Sequence, residues 1–127
     1  MAIISGVKTR SGVLGLDSRA AYNVCDTSIL SQARVNSVAD WASNVHKRVG
    51  VVSTARITHA TPGAVYSHTA NRDWESDSSS PGGCGDIASQ LVENLKSGRF
   101  LPNNFKNFFH FFHFCEICSN IFLHMFS

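Results

Sequence analysis

All nine phenylalanines of this 127-residue chain fall at or after residue 100, and none lies before it. From Leu101 onward there is also no Gly, Ala, Val, Thr, Asp or Arg, and Phe, Asn, Ile and Lys make up more than half of the segment. These four amino acids have codons built only of A and T. The chain therefore divides into a body, 1–100, and a divergent Phe-rich tail, 101–127. We read the tail as the translation of an AT-rich non-coding stretch; the alternative is a genuine apolar tail that packs on the body.

The length suits one small domain or a fragment of a larger one. A net charge of +2 with scattered Lys and Arg gives no basic patch, which argues against nucleic acid as a partner. The start, Met1 to Gly6, has no basic region and too short an apolar run for a secretory signal. The four cysteines, 25, 84, 115 and 118, are compatible with disulfides, metal ligands or free thiols.

Within the body the apolar spacing alternates between helix and strand. Val35, Val38, Ala39, Ala42 and Val45 recur at helical intervals, which predicts an amphipathic helix over 34–46, ended by Lys47, Arg48 and Gly50. The β-branched run 49–54 reads as a short buried parallel strand. It leads into the polar turn 56–62, where Pro62 suits the first position of a helix over 62–69. An exposed turn-rich loop follows at 77–83. A last helix is expected over 85–96, with Ile87, Ala88, Leu91, Val92 and Leu95 on one face and Asp86 favourable to its dipole. Helix–strand–helix order points to an α/β fold, part of a mostly parallel central sheet flanked by helices. In such sheets ligands bind beyond the carboxyl ends of the strands, which makes His59 and Thr61 candidate site residues.

One block is distinctive. Ile57-Thr58-His59-Ala60-Thr61-Pro62-Gly63-Ala64-Val65-Tyr66-Ser67-His68-Thr69-Ala70-Asn71-Arg72-Asp73-Trp74 resembles the His-Ala-(Ser/Thr)-Pro … His … Asn-Arg-Asp-Trp block of animal alkaline phosphatases, the insect enzymes in particular. Gly6-Val7-Lys8-Thr9 and Gly15-Leu16-Asp17 resemble the stretch after the family nucleophile, and Val49-Gly50-Val51-Val52 the strand before the metal loop. Cys84-Gly85-Asp86-Ile87-Ala88 resembles the family's Gly-Cys-x-Asp-Ile-Ala helix start. The resemblance covers about 5–100, in family order, and makes the body an incomplete, internal alkaline phosphatase segment.

The resemblance implies hydrolysis of phosphate monoesters through a phosphoserine, assisted by two Zn and one Mg. It makes Arg72 the phosphate-binding arginine; a guanidinium offers parallel N–H donors to two phosphate oxygens, which an ammonium cannot. On residue type alone an Arg beside Asp73 is a surface ion pair. Thr61 matches a magnesium ligand, a neutral hard oxygen donor, although Thr before Pro is otherwise a turn residue. His59 matches the histidine beside the magnesium shell, ordering metal-bound water rather than ligating. His68 is read as structural and Trp74 as packing beneath the arginine loop.

The resemblance also pairs Cys25 with Cys84 as a disulfide, which implies an oxidising, extracellular or cell-surface location. It implies a homodimer for the intact enzyme, with any membrane attachment through a glycolipid anchor whose signal the tail does not carry. The Asp-Ser-Ala nucleophile motif is not found in the sequence, so no residue here is assigned as nucleophile. With Thr61 the sole direct ligand among the matched residues, Mg and Zn are not expected to bind this segment well. The expectation is a segment inactive alone.

A rival reading treats the chain as non-enzymatic, with a tail that binds metal or lipid. His110, His113, Cys115 and Cys118 are zinc-type ligands, but only Phe114 separates the two pairs, so one short stretch would have to wrap the ion. Residues 108–126 carry three His, Glu116 and Asn120, and one acidic group at mid-bilayer costs a few kcal/mol, roughly, which argues against a membrane span.

Overall fold

A computed structural model of the chain describes residues 1–47 and 49–96. Among them are α1 (Ala2–Ser5), α2 (Thr27–Gln32), α3 (Val38–Asn44), α4 (Ala60–Gly63) and α5 (Ile87–Lys96). Each of the three longer helices begins where a side chain caps it. Asp26 accepts from the backbone N–H groups of Ser28 and Ile29 at the start of α2. Ser37 and Asp40 form a reciprocal capping box on α3. Asp86, immediately before α5, accepts from the Ser89 N–H at 2.9 Å and is itself buried. A capped start satisfies backbone donors that have no partner inside the helix.

The segment 13–17 is the hub. Leu14 exchanges both backbone bonds with Thr69, at 2.9 and 2.8 Å, in an isolated antiparallel bridge. On its other side Val35 donates to Gly15, Asp17 donates to Ala33, and Leu16 bridges Arg34. Leu14 then packs with Ala39, Ala64, Tyr66 and Ile87, while Val13 and Leu16 pack with Ala20 and Ala33. Alanines make up nearly half of the buried hydrophobic residues. With no phenylalanine before residue 100, the core is built from small side chains brought close together, and close approach then depends on backbone geometry.

These bonds explain where the helices depart from expectation. Residues 33–35 are held in the bridge to 15–17, so the helix expected over 34–46 begins only after the Ser37 cap. Of its expected apolar face only Ala39 is buried, while Val38 and Val45, with Trp41, are more than half exposed. The helix expected over 62–69 is instead Ala60–Gly63, and Pro62 is its third residue rather than its first. That position is equally tolerant, because the first four N–H groups of a helix have no intrahelical partner. Its turn tightens through Val65 and Tyr66 and stops where Thr69 joins Leu14. α5 forms two residues later than expected and buries Ile87; the side chain of Leu95 lies outside the described residues.

The sheet expected from the sequence does not form among the described residues, which show isolated bridges and no strand. Val49 packs on the Leu14 cluster, but Val52 is 73% exposed. Among the described residues no backbone bond joins 49–53 to another segment. A strand is defined by the neighbour that completes its ladder, and β-branched residues without one remain extended coil.

Candidate functional site

The turn that carries His59 and Thr61 is built from both sides. His59 is extended, with φ −62° and ψ 157°, and caps α4 with its backbone rather than its ring. Its N–H donates to the Arg56 carbonyl at 2.9 Å, and its carbonyl accepts from Gly63 at 2.8 Å. The Tyr66 hydroxyl reaches back to the Ile57 carbonyl at 2.8 Å, and Ser67 Oγ donates to Gly63 at 2.7 Å. Thr61 is left exposed on this short helix, and His59 is half-buried.

Arg72 sits on a separate loop whose backbone is pinned while its side chain stays exposed. The Arg72 N–H donates to the Gly12 carbonyl at 2.7 Å. Asn71 Oδ1 accepts from the Asp73 N–H at 2.9 Å, and Asn71 Nδ2 donates to Asn23 Oδ1 at 2.9 Å. Trp74 is 3% exposed and anchors the end of the loop, its carbonyl accepting from the Ile87 N–H at the start of α5. The two candidate side chains therefore face water, and neither is sealed in an apolar cluster.

Glu75 joins the two pieces, and sequence reasoning missed it. Arg56 donates to it twice, Nε at 3.1 Å and an Nη at 2.7 Å, and the buried Thr58 hydroxyl donates at 2.5 Å. The Arg56 hydrogen bond holds the Glu75 carboxyl below the usual range; partial burial opposes this, and Thr58 and the nearby His59 lower it further. A carboxylate next to Trp74 and an arginine nineteen positions earlier carry no spacing signal, so only the fold reveals the pair.

Among the described residues no hydrogen bond or ion pair joins Arg72, Thr61 and His59 directly. Nor do three His, Cys, Asp or Glu side chains gather there as a metal would require. Thr61 supplies one exposed neutral hydroxyl, and octahedral Mg²⁺ or tetrahedral Zn²⁺ demands several converging donors. The donor set of the described residues does not fit a metal site by itself. The tail residues His110, His113, Cys115 and Cys118 lie outside the described residues.

Cys25 and Cys84 are joined by a disulfide, with Cα atoms 6.0 Å apart. It ties the segment before α2 to the segment before α5. The sequence pattern that defines alkaline phosphatases matches residues 1–110. The chain belongs to the alkaline phosphatase family.

Among characterised alkaline phosphatases, the chain is 49% identical over 104 residues to alkaline phosphatase 4 of Drosophila melanogaster, covering 78% of this chain and 16% of that one. It is 44% identical over 99 residues to the tissue-nonspecific isozyme of Gallus gallus, covering 74% of this chain and 19% of that one. The human tissue-nonspecific isozyme is 40% identical over 100 residues, covering 75% and 19%. The chain thus spans less than a fifth of the length of these alkaline phosphatases. No described helix is long and apolar enough to cross a membrane.

Proposed function

We propose that this chain is the phosphate-binding segment of an alkaline phosphatase, a hydrolase of phosphate monoesters, and that it does not turn over substrate alone. The observation that carries the reading is the Asn71-Arg72-Asp73-Trp74 block, within a family match over 1–110, with the Arg72 guanidinium exposed on a pinned backbone. A planar guanidinium held this way can fork onto two phosphate oxygens as negative charge builds on them. Thr61 and His59 supply a hydroxyl and an imidazole on the neighbouring turn, for magnesium and its water respectively. Other parts of an alkaline phosphatase must complete the zinc and magnesium sites and supply the serine. The Cys25–Cys84 bridge supports an oxidising compartment, extracellular or at the cell surface.

Two measurements test this. The purified chain should give no turnover of a chromogenic phosphate ester, and activity in a contaminant-free sample would refute the inactive-alone part. Residues 1–96 exchanged into the Drosophila relative in place of its matched segment should retain hydrolysis. In that hybrid, Arg72→Ala should lower kcat/KM by about 10²–10³-fold, the scale for losing a donor to developing charge. A folded hybrid indifferent to Arg72→Ala would overturn the assignment.

A further inference from the structure

We propose that Glu75 is a positioning residue, a clasp that fixes the His59–Thr61 turn against the Arg72 loop. This rests on the site reading above for its purpose, but not for its geometry.

Glu75 lies three residues after Arg72, and its side chain holds the other half of the candidate site by three hydrogen bonds. Two come from Arg56, whose own carbonyl receives the His59 N–H at 2.9 Å. The third comes from Thr58, the residue before His59, at 2.5 Å. The Glu75 backbone carbonyl accepts from the Ala88 N–H at 3.2 Å, and the adjacent Trp74 carbonyl takes the Ile87 N–H at 2.9 Å. One residue therefore meets the turn with its carboxylate and α5 with its backbone, three positions after Arg72.

The energetics favour a positional role over a stabilising one. The Arg56 side chain is 50% exposed and Glu75 26%, so the ion pair is screened and adds little to global stability. Its fork is nevertheless directional, and the buried Thr58 hydroxyl has its partner in the same carboxylate. Displacing reacting groups by about 1 Å can cost on the order of 10²-fold in rate. A weak but directional clasp is sufficient to prevent that.

The test uses the full 127-residue chain and amide hydrogen exchange, a readout independent of phosphatase activity. Glu75→Ala should speed exchange at least tenfold at the amides of His59 and Gly63, while Ala88, whose partner is the Glu75 backbone carbonyl, and Leu14 and Asp17 at the hub stay within twofold. Arg56→Lys keeps the charge and loses the fork, and should give an intermediate local effect. Glu75→Gln keeps an acceptor for Thr58 and should restore most of the protection at His59. Uniform acceleration at all five amides would make Glu75 merely a global stabiliser, and unchanged exchange at His59 and Gly63 would remove the clasp; either overturns the proposal. Should Glu75→Ala not fold, Arg56→Lys and Glu75→Gln still decide between these outcomes. Failure of the phosphate assignment would instead appear in the hybrid's turnover, with exchange unaffected.

Discussion

Gly15 runs so close beneath Ser67 that any Cβ at position 15 would collide with the Ser67 carbonyl oxygen. The φ of Gly15 is +64°, a conformation that side-chain-bearing residues rarely adopt. Both demands arise where the hub segment crosses the end of the α4 turn. Gly15→Ala should therefore destabilise the chain by at least about 2 kcal/mol. Denaturant midpoints, with Gly82→Ala as the control because nothing lies within 4 Å of its added Cβ, would measure this.

Ser37 caps α3 and also crosses to the α4 turn. Its hydroxyl accepts from Ala39 and Asp40 and donates to the Val65 carbonyl at 2.7 Å, in a buried position. Ser37→Ala removes the cap and leaves a carbonyl short of a partner, and should cost about 1–2 kcal/mol. The cost should be smaller in Ser37→Thr, which keeps both a cap acceptor and a hydroxyl donor for Val65. Equal stability of wild type and Ser37→Ala would contradict the bond seen to Val65.

The Cys25–Cys84 disulfide closes a loop of sequence separation 59. Chain-entropy arithmetic for a loop of that size gives about 4 kcal/mol, a large share of the stability of a small body. Reduction, or Cys25→Ser with Cys84→Ser, should lower the unfolding midpoint accordingly. Intact mass before and after alkylation, with and without reductant, checks that the bridge is what was removed.

Stability should decline on the acid side. Glu75 is held below the usual range chiefly by its Arg56 hydrogen bond, Asp17 chiefly by its hydrogen bond from Arg19, and Asp26 chiefly by the Ile29 N–H. A depressed folded-state pKa means stabilisation is fully present above the unfolded value, about 4.3 for Glu and 3.9 for Asp, and is lost as pH falls through the folded value. Denaturant midpoints measured between neutrality and acid should thus fall only below about pH 4.3. Glu75→Gln should flatten the upper part of that decline. A loss of stability beginning near neutrality would point to other groups.

The sequence exposed the local determinants well and the long-range ones poorly. Helix α5 was legible because Ile87 and Leu91 repeat on one face and Asp86 precedes them. The turn carrying His59 and Thr61 was legible from its polar residues and Pro62, although its helix proved shorter. The strand over 49–54 was not, because β-branched residues signal compatibility with a ladder and say nothing about whether a neighbour is present. Glu75 was invisible for the same kind of reason: its three donors come from Arg56 and Thr58, and only the packed turn makes them adjacent.

The outward face of α3 has an optical consequence. Trp41 stands half in water while Trp74 is buried, and these are the chain's two indoles. Water dipoles relax around an excited Trp41 and not around Trp74, so the emission should resolve into a red component quenched by iodide and a blue one protected from it. Any polypeptide that settles on α3 would shift the first and spare the second, giving a label-free readout of that contact.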